Sequence, residues 1–421
     1  MSPAAAPEPA FISAWRNAPA LAFAGRLEGG LTVLFLFFFS QGLLGPLLAD
    51  AGTDPEEGSA ILRLMWLPIY GAVLLLALAR PGAILKTLTG NLLILALVGL
   101  TAVSVMWSIE PGTTMRRSFA LVMTTLFGLW LASRWDWREM ILLIATTMGL
   151  LAVASTVMAL AVPSIGVDHA VHAGAWKGVW WEKNALGAIM AWGAVSGYAA
   201  LRIDPGRRWI WMGLAVLCTA LVLLSTSKTA LLSWSLGTGG AIGIALCRRG
   251  FGFAALMLFL GLTGGACAAL VLLIAPVEFL ELLGRDATLT GRTDIWVILA
   301  DQVAARPWTG YGYRAFWVVD NGPVFWVRQS TQWPVPTAHN GWLEIALATG
   351  IPGVALMAWL YLRTAARAIG RLFSGPEAYW AMAYVAMIGV VSVSESNLMQ
   401  QNSMGWVMFV ATAAKLRLRN A

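Results

Sequence analysis

Long apolar blocks separated by short polar stretches run through most of the chain. A helix needs roughly 20 predominantly apolar residues to cross the ~30 Å hydrocarbon core of a bilayer. Blocks of about that length fall near 29–49, 62–79, 90–107, 117–133, 140–162, 185–201, 209–224, 229–247, 252–275, 341–362, 378–395 and 402–415. They predict an all-α integral membrane protein of about twelve transmembrane helices, folded as one polytopic domain over residues 1–421. The 209–224 and 402–415 blocks are short for a span. Two polar intervals are long: about 163–184, and 276–340 between the ninth and tenth spans. Within the second, Ile295, Trp296, Leu299 and Val303 fall on one face of a predicted helix over 293–304, and GYGYR reads as a turn.

Composition agrees with lipid as the solvent. The chain is 59% hydrophobic and 12% charged, against ~25% charged in soluble domains. A net charge of +7 could suggest nucleic acid, but the basic residues are scattered through short loops and form no stripe, so no nucleic-acid partner is expected. Cys218, Cys247 and Cys267 lie in or at the ends of apolar blocks without metal-ligand spacing, and read as small packing residues. The first twenty residues lack a basic start followed by an apolar run, so no cleavable signal peptide is expected.

Lys and Arg set the orientation. With the N-terminus inside, seventeen of the 28 Lys and Arg residues fall in inner loops, as the positive-inside rule requires. The first outer loop, Asp50 to Glu57, is acidic. Both long intervals then lie outside. The outer cations that remain include Arg116, Arg117, Lys183, Lys228 and Arg292. Snorkelling to lipid phosphates explains such residues singly; as a set they can build an anion site.

Local chemistry sharpens that expectation. Arg116 and Arg117, Lys183 and Lys228 each stand at the outer start of a predicted helix, where free N–H groups add partial positive charge. Arg292 in GRTDIW can bind two phosphate oxygens at once, or pair with Asp294 or Asp286. His339 opens the tenth span. Imidazole titrates near neutral pH, which suits a general base, while a histidine that only hydrogen-bonds a loop is the plainer alternative. His169 and His172 lack a third ligand, so no metal is expected. Outer tryptophans, Trp180, Trp181 and Trp308 among them, belong to an interfacial belt or stack on sugar faces. No P-loop or nucleotide fingerprint occurs.

Several of these pieces resemble the O-antigen ligase and polymerase superfamily. In order they are SVMWSIEPGTTMRRS (104–118), GVWWEKNALG (178–187), STSKTALL (225–232), GRTDIW (291–296), RPWTGYG (306–312) and AHNGWLEIALATGIPG (338–353). EKNALG and GRTDIW are closer to the exopolysaccharide-polymerase branch. The resemblance implies a GT-C-like glycosyltransferase of the bacterial inner membrane, inverting, without metal or cofactor, that takes glycan from undecaprenyl diphosphate at the periplasmic face. The long 276–340 loop would carry the catalytic region. Catalysis would fall to His339 and Arg292. Lys228 stands where ligases have arginine. It would bind substrate with Arg116, Arg117, Lys183, Asn184, Asn340, Trp180, Trp181 and Trp308. Membrane lipid would surround the polyprenyl tail, and a chain-length regulator and a flippase of the same pathway are the implied partners.

Three rivals follow. A ligase would make the same bond with lipid A-core as acceptor. A transporter or flippase would place ionisable residues near the bilayer midplane, where this chain has almost none. A membrane scaffold would not need a long cationic outer loop.

Overall fold

A computed structural model describes residues 19–43, 46, 60–170, 172–274, 292–318, 322–331 and 335–417. The acidic loop Asp50–Glu57, the partner candidate Asp286 and residues 276–291 at the start of the long loop lie outside the described residues. Helices dominate. They are α1 (Pro19–Phe39), α2 (Ala60–Leu78), α3 (Pro81–Gly90), α4 (Leu92–Val103), α5 (Pro111–Arg134), α6 (Trp137–Ala161), α7 (Lys183–Ile203), α8 (Arg208–Leu224), α9 (Lys228–Cys247) and α10 (Phe251–Ile274). There follow α11 (Arg292–Ala305), α12 (Val324–Thr331), α13 (Gly341–Gly370), α14 (Pro376–Ser394) and α15 (Met404–Lys415). Each of the twelve expected blocks carries a helix.

Among the described residues, six helical segments are long and apolar enough to cross a membrane: 137–161, 183–203, 205–224, 228–247, 341–370 and 376–394. Two features were not expected from the pattern. Helix α3 breaks away from α2 at 97°, its start set by Pro81 at the first helical position. Helix α12 lies inside the long loop.

The 402–415 block, short as a span, forms the centre of the bundle. All twelve residues of α15 are buried, Thr412 and the terminal Lys415 included, as befits a helix whose other residues are apolar or small on every face. Its ~18 Å length is compensated by side-chain ties to its neighbours. Trp406 donates to Thr125 Oγ1 at 2.9 Å, Tyr384 to the Gly405 carbonyl at 2.6 Å, and the Asn402 N–H to Thr124 Oγ1 at 2.9 Å. Gly128 permits the close approach of α5, because a Cβ there would sit 2.8 Å from the Val407 carbonyl oxygen.

The two ends of the bundle differ. At one end, Glu28 joins Arg80 and Arg134, Arg138 donates to the Ile203 carbonyl, and Arg248 donates to Tyr379 Oη. Arg80, Arg134, Arg138 and Arg248 are four of the cations that the positive-inside rule puts in inner loops. The other end gathers the starts of α7, α9, α11 and α13.

Candidate functional site

The RPWTGYG segment shapes this second end. Helix α13 is interrupted at Gly350 (φ 68°, ψ −168°), two residues before Pro352. The interruption leaves backbone groups without helical partners, and RPWTGYG supplies them. The Tyr311 N–H donates to the Leu347 carbonyl (2.7 Å), Gly312 N–H to Ala348 (3.1 Å), and Ile351 N–H to the Pro307 carbonyl (2.7 Å). A Cβ on Gly350 would lie 2.5 Å from Pro307 O, and one on Gly310 would lie 2.5 Å from Leu347 O. Both glycines also have positive φ, which a side chain disfavours. The far side of the segment rests on the 104–110 stretch. Trp107 Nε1 donates to the Thr309 carbonyl (2.8 Å), Ile109 N–H to Tyr311 (3.0 Å) and Tyr313 N–H to Ser104 Oγ (3.0 Å). Three of the sequence motifs are therefore one packed unit.

Around this frame two carboxylates organise the polar residues. The first is Glu395, immediately after α14. Its Oε1 accepts from Arg292 Nη2 at 3.2 Å and from Asn184 Nδ2 at 3.0 Å. Its Oε2 faces His339 Nδ1 at 3.8 Å. Arg292 also donates through Nη1 to the Ser394 carbonyl, so its guanidinium spans the C-terminal end of α14, where helix carbonyls carry partial negative charge. Arg292 thus pairs with Glu395 in the structure, where the sequence suggested Asp294 or Asp286.

The second carboxylate is Glu344, in the first turn of α13 and buried. Its Oε1 accepts from the Ala338 N–H (2.7 Å) and from Ser396 Oγ (3.1 Å). Its Oε2 accepts from Trp317 Nε1 (3.1 Å) and lies 4.0 Å from Arg314 Nη1. Arg314 is only 4% exposed, and its carbonyl accepts from Arg117 at 3.3 Å. Tyr313 is buried beside it. Burial pushes its phenol up, against the pull of Arg314 and Arg117, so it serves as a neutral donor to the Met399 carbonyl and Gln401.

The remaining candidates divide. Lys228 begins α9, capped by Ser227. Its neighbour Thr229 shares a 3.2 Å hydrogen bond with Ser394, which brings this helix start beside Arg292. Lys183 donates to Thr226 Oγ1 at 3.3 Å and feels the charges of Asp168 and Lys228. Arg117 joins the Glu344 side of the cluster through Arg314. Arg116 is exposed and donates to Thr113. Asn340 caps α13, its side chain accepting from the Trp342 and Leu343 N–H groups. Trp180 is 4% exposed and donates to the Ser40 carbonyl at 2.7 Å, so its ring is core and not a surface platform. Trp181 and Trp308 are exposed, at 41% and 70%. No group of three or more His, Cys, Asp or Glu residues suited to a metal occurs among the described residues.

Residues 213–358 match the family model described as O-antigen ligase. The exopolysaccharide production protein ExoQ of Rhizobium meliloti (strain 1021) is 25% identical over 376 residues, spanning 84% of this chain and 83% of that protein. Both matches are to proteins of the kind that the sequence motifs resemble. The segment matched by the family model contains Lys228, Arg292, His339 and Glu344, together with the RPWTGYG frame. Asn184 and Glu395 lie beyond it and reach the same cluster through the fold.

The two carboxylates are what sequence reasoning passed over. Each was visible only as an acid near the end of an apolar block. The available signal was a single Glu in SVSESN (392–397), following an apolar span on the side where the outer loops carry cations.

Proposed function

We propose that this protein polymerises lipid-linked polysaccharide repeat units at the periplasmic face of the bacterial inner membrane. Glycan passes from undecaprenyl diphosphate to an acceptor sugar hydroxyl. The observation that carries the reading is the convergence of Arg292, Asn184 and His339 on Glu395, at an end of the bundle where four helix starts meet. Helix N-termini and fixed cations favour an anion, and a diphosphate is the anion that such a donor brings.

In the proposed reaction the acceptor oxygen bonds to the anomeric carbon from the face opposite the diphosphate, and the configuration inverts. The bond from that carbon to the diphosphate oxygen breaks, and its electron pair leaves with the diphosphate. Arg292 and Lys228, with Arg116 or Arg117, stabilise the charge that grows there. A diphosphate is already a good leaving group, so these cations take the place of a metal. Glu395 faces Nδ1 of His339 and orients the ring. Nε2 then accepts the proton of the acceptor hydroxyl. Trp181 and Trp308, whose rings are exposed, stack on sugar faces in this reading, and Lys183 is a further contact to the donor.

Two features favour polymerase over ligase. Lysine stands at position 228, and the R. meliloti relative bears the name of an exopolysaccharide production protein. A knockout separates the readings. Loss of the polymerase leaves lipid-linked single repeats, whereas loss of a ligase leaves lipid-linked polymer. A transporter or flippase reading is disfavoured because the charged groups gather at the ends of the bundle and not at its midplane. The direct test is His339→Ala, which abolishes polymer while the protein stays in the membrane; normal polymer from that variant would remove His339 from the chemistry.

A further inference from the structure

Glu344 is bonded to the chain beside two of the groups assigned to the chemistry, His339 and Glu395. One oxygen, Oε1, accepts from the backbone N–H of Ala338, the residue before His339, and from the hydroxyl of Ser396, the residue after Glu395. The other oxygen is held by Trp317 Nε1, with Arg314 at 4.0 Å. The carboxylate is buried and its orientation is fixed from four directions.

The backbone at His339 needs such support. Its φ is +48°, a left-handed conformation that is uncommon for a residue with a Cβ. Such conformations persist where the surroundings over-determine them. Here the supports flank the residue. Asn340 caps α13 on one side, and the Ala338 N–H is bound by Glu344 on the other. Across the site, Glu395 follows the last turn of α14 in an extended conformation and is tethered through Ser396 to the same oxygen.

We propose that Glu344 is a positioning residue that fixes the register between His339 and Glu395, resting on the reading of His339 as the base. By holding both flanking segments on one oxygen, it sets the approach of Glu395 Oε2 to His339 Nδ1, now 3.8 Å. At that separation the negative charge of Glu395 favours hydrogen on the nitrogen that faces it, Nδ1, and so directs an incoming proton to Nε2. Glu344→Gln keeps the shape, but its amide offers hydrogens to a ring of donors, so one side of the clamp is lost. Ser396→Ala cuts only the tether to the Glu395 segment and changes no charge.

The chain has three histidines, so full-length protein carrying His169→Ala and His172→Ala gives a single labelled imidazole. Nitrogen NMR of that imidazole reports which ring nitrogen carries hydrogen. The parent protein is expected to show the Nδ1–H form. Glu344→Gln and Ser396→Ala are both expected to shift it toward a mixture with Nε2–H. In chain-growth assays with undecaprenyl-diphosphate-linked repeat units, Glu344→Gln is expected to lower kcat by roughly 100-fold, the cost of ~1 Å of misplacement, with little change in KM. If Glu344→Gln does not accumulate, Ser396→Ala decides the matter. An unchanged Nδ1–H signature in Ser396→Ala overturns the proposal. That readout needs no turnover, so it is separable from the function itself, which fails if His339→Ala still makes polymer.

Discussion

Arg292 and His339 meet on one carboxylate. Glu395 Oε1 lies 3.2 Å from the Arg292 guanidinium, and Glu395 Oε2 lies 3.8 Å from His339 Nδ1. A single acid thereby links the residue proposed to hold the diphosphate with the residue proposed to take the proton. Glu395→Gln keeps the size and removes the charge. It is expected to lower kcat by roughly 100-fold or more, the scale of general-base catalysis, in chain-growth assays on purified protein. Near-normal turnover would confine Glu395 to a structural role.

Arg292 reaches two acceptors at once, the Ser394 carbonyl and Glu395. A lysine can offer charge but not that planar fork. Arg292→Lys is therefore expected to lose most activity while accumulating normally in the membrane. Full activity in Arg292→Lys would mean that charge alone suffices at this position.

The break in α13 gives a stability prediction. A Cβ at position 350 meets Pro307 O at 2.5 Å, and φ there is positive. Gly350→Ala, and Gly310→Ala on the facing segment, are each expected to cost about 2 kcal/mol or more. The check is the apparent Tm of detergent-solubilised protein. Gly30 in α1, where an added Cβ would meet nothing within 4 Å, is the control position, and alanine there leaves Tm nearly unchanged.

Trp180 and Trp308 separate core from surface. Trp180→Phe leaves the buried Ser40 carbonyl without its donor and is expected to lower stability by ~1–3 kcal/mol. Trp308→Ala removes an exposed ring and is expected to raise KM for the glycan with Tm unchanged. Asn340→Ala removes the α13 cap at a cost of ~1 kcal/mol, and Asn340→Ser restores most of it. If Asn340→Ser instead abolishes activity at normal Tm, Asn340 has a role in substrate binding beyond the cap.

Much of this architecture was legible in the sequence, because apolar block length and the placement of Lys and Arg report directly on lipid and on the two faces of the membrane. Arg80, Arg134, Arg138 and Arg248 do gather at one end, and Lys183, Lys228 and Arg292 at the other. The central place of α15 was not legible. A twelve-residue, mostly apolar helix looks like a weak span, and only packing from every side shows it to be a core. Nor was the pairing of RPWTGYG with the break at Gly350, since backbone hydrogen bonds between distant segments leave no periodic trace. Glu344 and Glu395 were hidden for the same reason. A lone acid at a helix end gains meaning only from the donors that the fold delivers to it, and those come from separate segments of chain around Asn184, Arg292, Trp317, Ala338 and Ser396.

Purified protein reconstituted with undecaprenyl-diphosphate-linked repeat units and no added metal, in the presence of EDTA, with products resolved by size, decides whether this protein is a polymerase. A polymerase gives a ladder of lengthening lipid-linked glycan that is absent with His339→Ala. Single repeats that remain unextended until lipid A-core is supplied, and are then transferred to it, would contradict that reading.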